Sequence, residues 1–192
     1  MMSRIRYLGL KWSAIGLLVF GIRERAMAVF ETMLQEFPGD TYALASLAHM
    51  QAQAGNKRAA LQSLRQLVDS DVSNARHWFN YGFLLEELGE YPQAEAAFRR
   101  STELSPALDR AWYGLGLVLI RLQRFDEAVA ALKQNTKLQP MSPYGWYQLA
   151  RVHVDRQEPD EARKIIRHLK RFEPKVAAQL ERETGIFVPP AS

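Results

Sequence analysis

Apolar residues recur along this chain at i, i+3, i+4 and i+7, the spacing that gathers them on one face of an α-helix rather than alternating them across a strand. After residue 109 one stripe is Trp112, Leu115, Gly116 and Leu119, and a second helical stripe follows with Ala128, Leu132 and Leu138. The pair of stripes returns at a constant interval, the one that separates Ala26 from Ala60. Ala26, Ala60, Ala94, Ala128 and Ala162 hold that interval without a slip, and Trp78, Trp112 and Trp146 hold it too, with Leu44 and Leu10 in the two earlier places. Pro38, Pro106, Pro140 and Pro174 occupy another phase, broken only by Val72. A period of this size marks a repeat architecture, in which each unit buries its apolar face only by stacking on a neighbour.

With the alanine as the twentieth position, the units are 7–40, 41–74, 75–108, 109–142 and 143–176, and no insertion is needed. Residues 1–6 are then an N-terminal extension. Each unit predicts two helices. Gly55, Gly89 and Gln123 fall between them, where a residue that leaves helical geometry is wanted. Pro92 and Pro159 stand at the start of second helices, where the missing N–H costs nothing, and the proline series closes the second helices. Small residues on the first helix (Ala14, Ala48, Gly82, Gly116 and Ala150) are placed to let the two backbones of a pair approach. From about residue 175 a further helix is expected. Val176, Ala178 and Leu180 would cover the last unit, Lys175, Glu181, Arg182 and Glu183 would face water, and 177–185 would carry this capping helix to Gly185. Residues 186–192 are expected as a flexible tail whose Ile186, Phe187 and Val188 are available to dock.

The chain resembles the tetratricopeptide repeat (TPR) family, whose pattern is Trp-x2-Leu-Gly-x2-Tyr, then Ala-x3-Phe, then Pro, in a unit of about 34 residues. The third unit carries it as Trp78, Tyr81, Gly82, Leu85, Ala94, Phe98 and Pro106. The fourth carries Trp112, Leu115, Gly116, Leu119, Ala128, Leu132 and Pro140. The fifth reads Trp146, Leu149, Ala150, His153, Ala162, Ile166 and Pro174, and the first two units diverge further. The resemblance covers 7–176. It implies an all-α TPR solenoid of five helix-turn-helix repeats forming a right-handed superhelix, closed by a C-terminal capping helix, and a non-catalytic protein-interaction function.

Candidate chemistry changes this picture little. Among 192 residues the net charge is +4, too mild for a dedicated nucleic-acid binder, and there is no cysteine. His49, His77, His153 and His168 share no metal-ligand spacing. His153 takes the place of a family tyrosine and reads as a packed histidine. Gly114-Leu115-Gly116 lacks the third glycine of a dinucleotide fingerprint and lies inside a helix. Glu86-Glu87 reads as the solvated end of a helix. No catalytic residue, cofactor or metal is therefore expected, and the chain is not read as an enzyme. Arg163, Lys164, Arg167, Lys170 and Arg171 form a basic stripe that reads as a solvated outer face rather than a phosphate or membrane site.

In the TPR fold the first helices line a concave groove through positions two, five, six, nine and twelve to thirteen of each unit. The resemblance places there Tyr42 and His49; Arg76, Phe79, Asn80 and Phe83; Arg110, Tyr113, Leu117 and Arg121; and Tyr144, Tyr147, Gln148 and Arg151. Aromatic rings flanked by arginines have the composition of binding hot spots. The family's carboxylate clamp is absent, because Ile15 and Ser46 replace its asparagines. The expected partner is a protein or peptide segment with apolar anchors, and with acidic groups that could meet Arg76, Arg110 or Arg151. The first helix is apolar nearly all round, with Trp12, Ile15, Leu18 and Val19 as the oligomer or membrane contact. Self-association is the favoured reading. The alternative is a membrane-associated assembly factor or chaperone that rests on the membrane through this helix. Arg23, Glu24 and Arg25 interrupt the run as a signal peptide, and its 11 uncharged residues span about 16 Å, short of a bilayer core of about 30 Å. A cytoplasmic location is expected, with membrane association or export as the alternatives.

Overall fold

A computed structural model describes residues 2–189, and these residues form eleven helices and no strand. They are α1 (Met2–Val19), α2 (Arg23–Glu36), α3 (Thr41–Gln53), α4 (Lys57–Ser70), α5 (Ala75–Glu87), α6 (Tyr91–Leu104), α7 (Asp109–Arg121), α8 (Phe125–Leu138), α9 (Pro143–Asp155), α10 (Pro159–Leu169) and α11 (Pro174–Thr184). The chain divides into two compact units, Met1–Leu88 with α1–α5 and Gly89–Ser192 with α6–α11.

Within each unit, consecutive helices pack as pairs and each pair packs on the next. The small-residue register explains how. All five alanines of the periodic series are fully buried, and Ala14, Ala48 and Ala150 are buried on the facing helices. At Gly116 an added Cβ would lie 2.7 Å from Leu132 Cγ, and at Gly114 it would lie 2.5 Å from the ring of Phe98. Gly114 is thus a packing glycine between α7 and α6, not part of a nucleotide loop. Gly145 makes room for Asn135 of α8, whose side-chain amide donates to the carbonyl of Asp109 (2.9 Å). Phe30 and Phe98 are fully buried, and each contributes about 1.5–3 kcal/mol by leaving water.

The breaks between paired helices share one geometry. Gly21, Gly55, Gly89, Gln123 and Gln157 all have φ between +59° and +81°, and they are spaced at the interval of the alanines. The following N–H reaches back to the fifth residue before it: Ile22 to Leu17, Asn56 to Gln51, Arg124 to Leu119 and Glu158 to His153, at 2.8–2.9 Å. This left-handed closure satisfies the carbonyls that a helix end leaves open. Glycine adopts it without a Cβ penalty, whereas the two glutamines hold it against one. A second recurring bond joins the tryptophans to the loop before them. The indole N–H of Trp78, Trp112 and Trp146 donates to the carbonyl of Val72, Pro106 and Pro140 respectively, each at 2.9 Å. Val72 breaks the proline series but still supplies the carbonyl.

The two chain ends differ from the sequence-based expectation. Residues 2–6 are not separate from the first repeat. They are the first turns of α1, and Arg6 donates to both carboxylate oxygens of Glu36 on α2 at 2.5 Å. At the other end α10 has 11 residues where α2, α4, α6 and α8 have 14. Pro174 consequently opens α11 as well as following α10, and α11 packs against both α9 and α10. Ala177 and Leu180, rather than Ala178, are the fully buried residues of α11. Glu181 does not face water: it pairs with Lys170 at 2.7 Å and accepts the N–H of Val188 at 2.7 Å. Lys170 also donates to the Val188 carbonyl, and Val188 is buried in the core of α8–α11. Of the segment expected as a flexible tail, residues 186–189 therefore run back along α11, with Phe187 exposed. Residues 190–192 lie outside the described residues.

Candidate functional site

Helical register decides which side chains of α3, α5, α7 and α9 are left over once the cores are closed. In the first unit Tyr42 is half-buried: its ring meets the edge of Phe30 (centroids 5.8 Å apart), and Lys11 lies 4.4 Å from its centroid. Tyr42 is thus engaged by the first repeat. His49, Arg76 and Asn80 are exposed. Phe79 and Phe83 stack with centroids 6.3 Å apart, and Phe83 stays 49% exposed. Between α3 and α5 lies a cavity of about 240 Å³. His49, Asn80 and Phe83, all expected groove residues, line it, and so do Ala45, Ala52 and Glu87, which sequence reasoning did not single out for the groove. Glu87, read as a merely solvated helix end, pairs with Lys57 of α4 at 3.3 Å.

In the second unit Arg110 and Arg121 are exposed, and Tyr144 is 70% exposed. Leu117 and Gln148 are half-buried. Tyr113 and Tyr147 pack partly against the core of α8–α11. The hydroxyl of Tyr147 donates to Glu183 of α11 (2.5 Å), and Arg151 donates to that hydroxyl (3.3 Å) and lies 3.8 Å from the same carboxylate. Gln179 donates to the other oxygen of Glu183 at 2.8 Å. The Tyr147 hydroxyl, then the Gln179 amide, hold the Glu183 carboxyl below its ordinary range. Beside this cluster a cavity of about 310 Å³ opens between α9 and α11, lined by Arg151, Val154, Asp155, Glu183 and Thr184. The fifth repeat's groove positions are thus met by a carboxylate of the chain's own last helix. The sequence signal was weak: Glu183 stood in a run of charges, and only the early end of α10 turns it toward α9.

On α1, Ile5, Leu8, Trp12 and Val19 are exposed, Trp12 by 67% and Val19 by 76%. Ile15 is half-buried, and Leu18 packs partly against the core of α1–α3. Residues 5, 8, 12, 15 and 19 follow the alternating three- and four-residue spacing of a helix-pairing seam. No described element of this unit covers the seam. The basic stripe of α10 is partnered in part: Arg163 with Asp160, Lys164 with Glu161 (2.5 Å) and Lys170 with Glu181. His153 is buried and bonded to Glu158 through Nδ1 at 2.7 Å.

A tetratricopeptide repeat family model matches residues 45–109, 84–134 and 113–177, which together run from 45 to 177 without a gap and cover more than half of the chain. The chain belongs to the TPR family. This TPR chain is an all-α solenoid, and its fold is a non-catalytic scaffold for protein–protein interaction. Comparison with curated protein sequences gives no significant match. Among solved structures the TPR chain is similar to MamA, at 20% identity and a TM-score of 0.77 over 98% of this chain and 97% of that one. It is similar to YrrB, described as "a TPR protein with an unusual peptide-binding site", at 17% identity and a TM-score of 0.79 over 88% of each chain. PilF of Pseudomonas aeruginosa aligns at 22% identity and a TM-score of 0.68, over 95% of this chain and 92% of that one. These likenesses are of fold. No helix among the described residues is long and apolar enough to cross a membrane.

Proposed function

We propose that this TPR protein is a scaffold that holds a peptide segment along its first helices and self-associates through α1. The observation that carries the first half is the cavity between α3 and α5, bordered by three residues of the expected groove. The exposed Phe83 ring and Arg76 in the first unit, and the exposed Tyr144 ring, Arg110 and Arg121 in the second, support it, since aromatic and arginine side chains are enriched among residues that dominate binding energy. The described relative YrrB, with its peptide-binding site, is a precedent for the fold. An interaction of this kind is micromolar in scale, about −8 kcal/mol. The test is a pull-down that compares the native chain with the double variant Phe79→Ala/Tyr113→Ala. One or a few partners should disappear while the circular-dichroism spectrum stays helical. Retention of every partner by a folded double variant rejects the groove.

Self-association rests on the exposed seam of α1, because large contiguous apolar surface marks an interaction site. Sedimentation at micromolar concentration should give an assembly that Trp12→Glu dissolves, and a clean monomer of the native chain argues against it. The same face supports a second reading, contact with a membrane surface, since no acidic residue precedes Glu24 while Arg4, Lys11 and Arg23 do. Flotation with anionic vesicles, lost on deleting residues 1–23, would favour that reading.

A further inference from the structure

Position five of the repeat is filled differently in the second repeat, 41–74, than anywhere else. It carries Lys11, Phe79, Tyr113 and Tyr147 in four repeats, and Ala45 in the remaining one. The four long side chains are all put to use. Lys11 lies over the ring of Tyr42, Phe79 stacks on Phe83, and Tyr113 and Tyr147 pack partly into the core of their own unit. Ala45 has nothing to place there. Ala52, seven residues on along the same face of α3, adds nothing either, where Leu18, Ile120 and Val154 stand at the matching positions of other repeats. What remains is the cavity of about 240 Å³, floored by Leu64 and Leu67 of α4 and walled by Phe83 of α5.

We propose that this cavity is an anchor site for one aromatic side chain of the peptide partner, whose ring supplies the bulk that Ala45 lacks and that Lys11, Phe79, Tyr113 and Tyr147 carry at the matching position of the other repeats. This rests on the groove reading given above and adds to it the anchor's chemistry and its address. The size is sufficient: an apolar cavity of about 150 Å³ already accommodates benzene. The walls are suited to a ring, with alanine methyls and leucines on one side and Phe83 available for an offset or edge-on contact on the other. The mouth is polar. His49 and the Asn80 amide border it and can pair with the peptide backbone on either side of the ring. Glu87 stands at the same mouth and shares its charge with Lys57 at 3.3 Å. A carboxylate there disfavours an acidic residue next to the anchor, so the neighbouring ligand residue is neutral or basic.

The test uses the full chain and N-acetylphenylalaninamide as an uncharged probe, followed by two-dimensional amide NMR. Saturable shifts should be confined to residues 45–52, 64–67 and 80–87, the segments that line the cavity, and N-acetylglycinamide, which lacks the ring, should cause none. Ala45→Phe fills the cavity with a side chain that the third repeat already carries at this position. Ala52→Leu fills it from further along α3, should the first variant fold poorly. Either folded variant should weaken the probe at least about tenfold. Absence of shifts at millimolar probe, or undiminished shifts in a folded filled variant, overturns the proposal. A phage-displayed library of 12-residue peptides separates this failure from that of the groove itself. Selected peptides that carry an aromatic residue and lose binding with Ala45→Phe support the anchor. Peptides indifferent to Ala45→Phe but lost with Tyr113→Ala overturn the anchor and leave the groove standing. Probe binding without any selected peptide rejects the groove and, with it, the peptide anchor.

Discussion

The tight pairing of α7 with α8 can be tested by one substitution made at two places. Glycine to alanine inside a helix stabilises by about 1 kcal/mol when nothing else changes. Gly9 of α1 meets that condition, because an added Cβ there would find nothing within 4 Å. Gly116 of α7 does not. Its Cβ would fall 2.7 Å from Leu132 Cγ and 2.8 Å from Cδ2, and Leu132 is fully buried, so the obstacle is the branch point of a side chain with nowhere to swing. Overpacking of this kind costs about 1–3 kcal/mol, which offsets the helix gain and leaves Gly116→Ala destabilised by up to about 2 kcal/mol. For a chain of this size each kcal/mol moves the melting temperature by about 2–4 °C. Thermal unfolding followed by circular dichroism, at a concentration where the chain stays unassociated, should show Gly9→Ala raised by about that amount and Gly116→Ala lowered. Gly116→Leu, with three more carbons, should fall further. Equal stabilisation by both alanines would refute the close approach of α7 and α8.

Two further outcomes follow from recurring features. Gln123→Gly and Gln157→Gly each relieve a left-handed residue worth about 1–2 kcal/mol, against about 0.5–1 kcal/mol of extra chain entropy, so the double variant should melt higher. A lower melting temperature would mean that these side chains hold the turns in some other way. The carboxyls of Glu127, paired first with Arg124 and then with Arg99, and of Glu183, held first by Tyr147, lie below the ordinary value near 4.5. Their contribution is therefore complete above that value and is lost as pH falls through the lowered folded-state values. Unfolding midpoints should drop on acidification below about pH 4.5, and Glu127→Gln/Glu183→Gln should flatten that drop; an unchanged slope would contradict the pairing.

How much of this was legible in the chain beforehand depends on whether a feature recurs. Ala26 through Ala162 are buried because each faces its partner helix inside its own repeat, and that demand returns once in every repeat. The turn at Gln123 was legible for the same reason, from Gly89 and Gly55 one and two periods earlier. The tryptophans were legible as a series, yet their bonds to the Val72, Pro106 and Pro140 carbonyls were not, because a carbonyl leaves no mark on residue identity. Tyr42, Tyr113 and Tyr147 stand at the expected groove positions by number alone, and whether a ring at such a position points outward or settles on the neighbouring core depends on what that neighbour leaves open.

The amino-acid order alone settled the helix pairs, their small-residue contacts and their left-handed closures, since these are local requirements imposed identically on each repeat. Tertiary packing decided what arises where one repeat differs from the rest. Ala45 borders a cavity only because the side chains around it, Phe83 and Leu67 among them, leave the space open. Glu183 reaches Tyr147 only because α10 ends after 11 residues and lets α11 lean on α9. Val188 is buried because Lys170 and Glu181 hold its backbone at both polar atoms. Periodicity reports the constraint that neighbours share, whereas a binding surface is built from departures, and a departure acquires its shape only from the particular side chains packed around it.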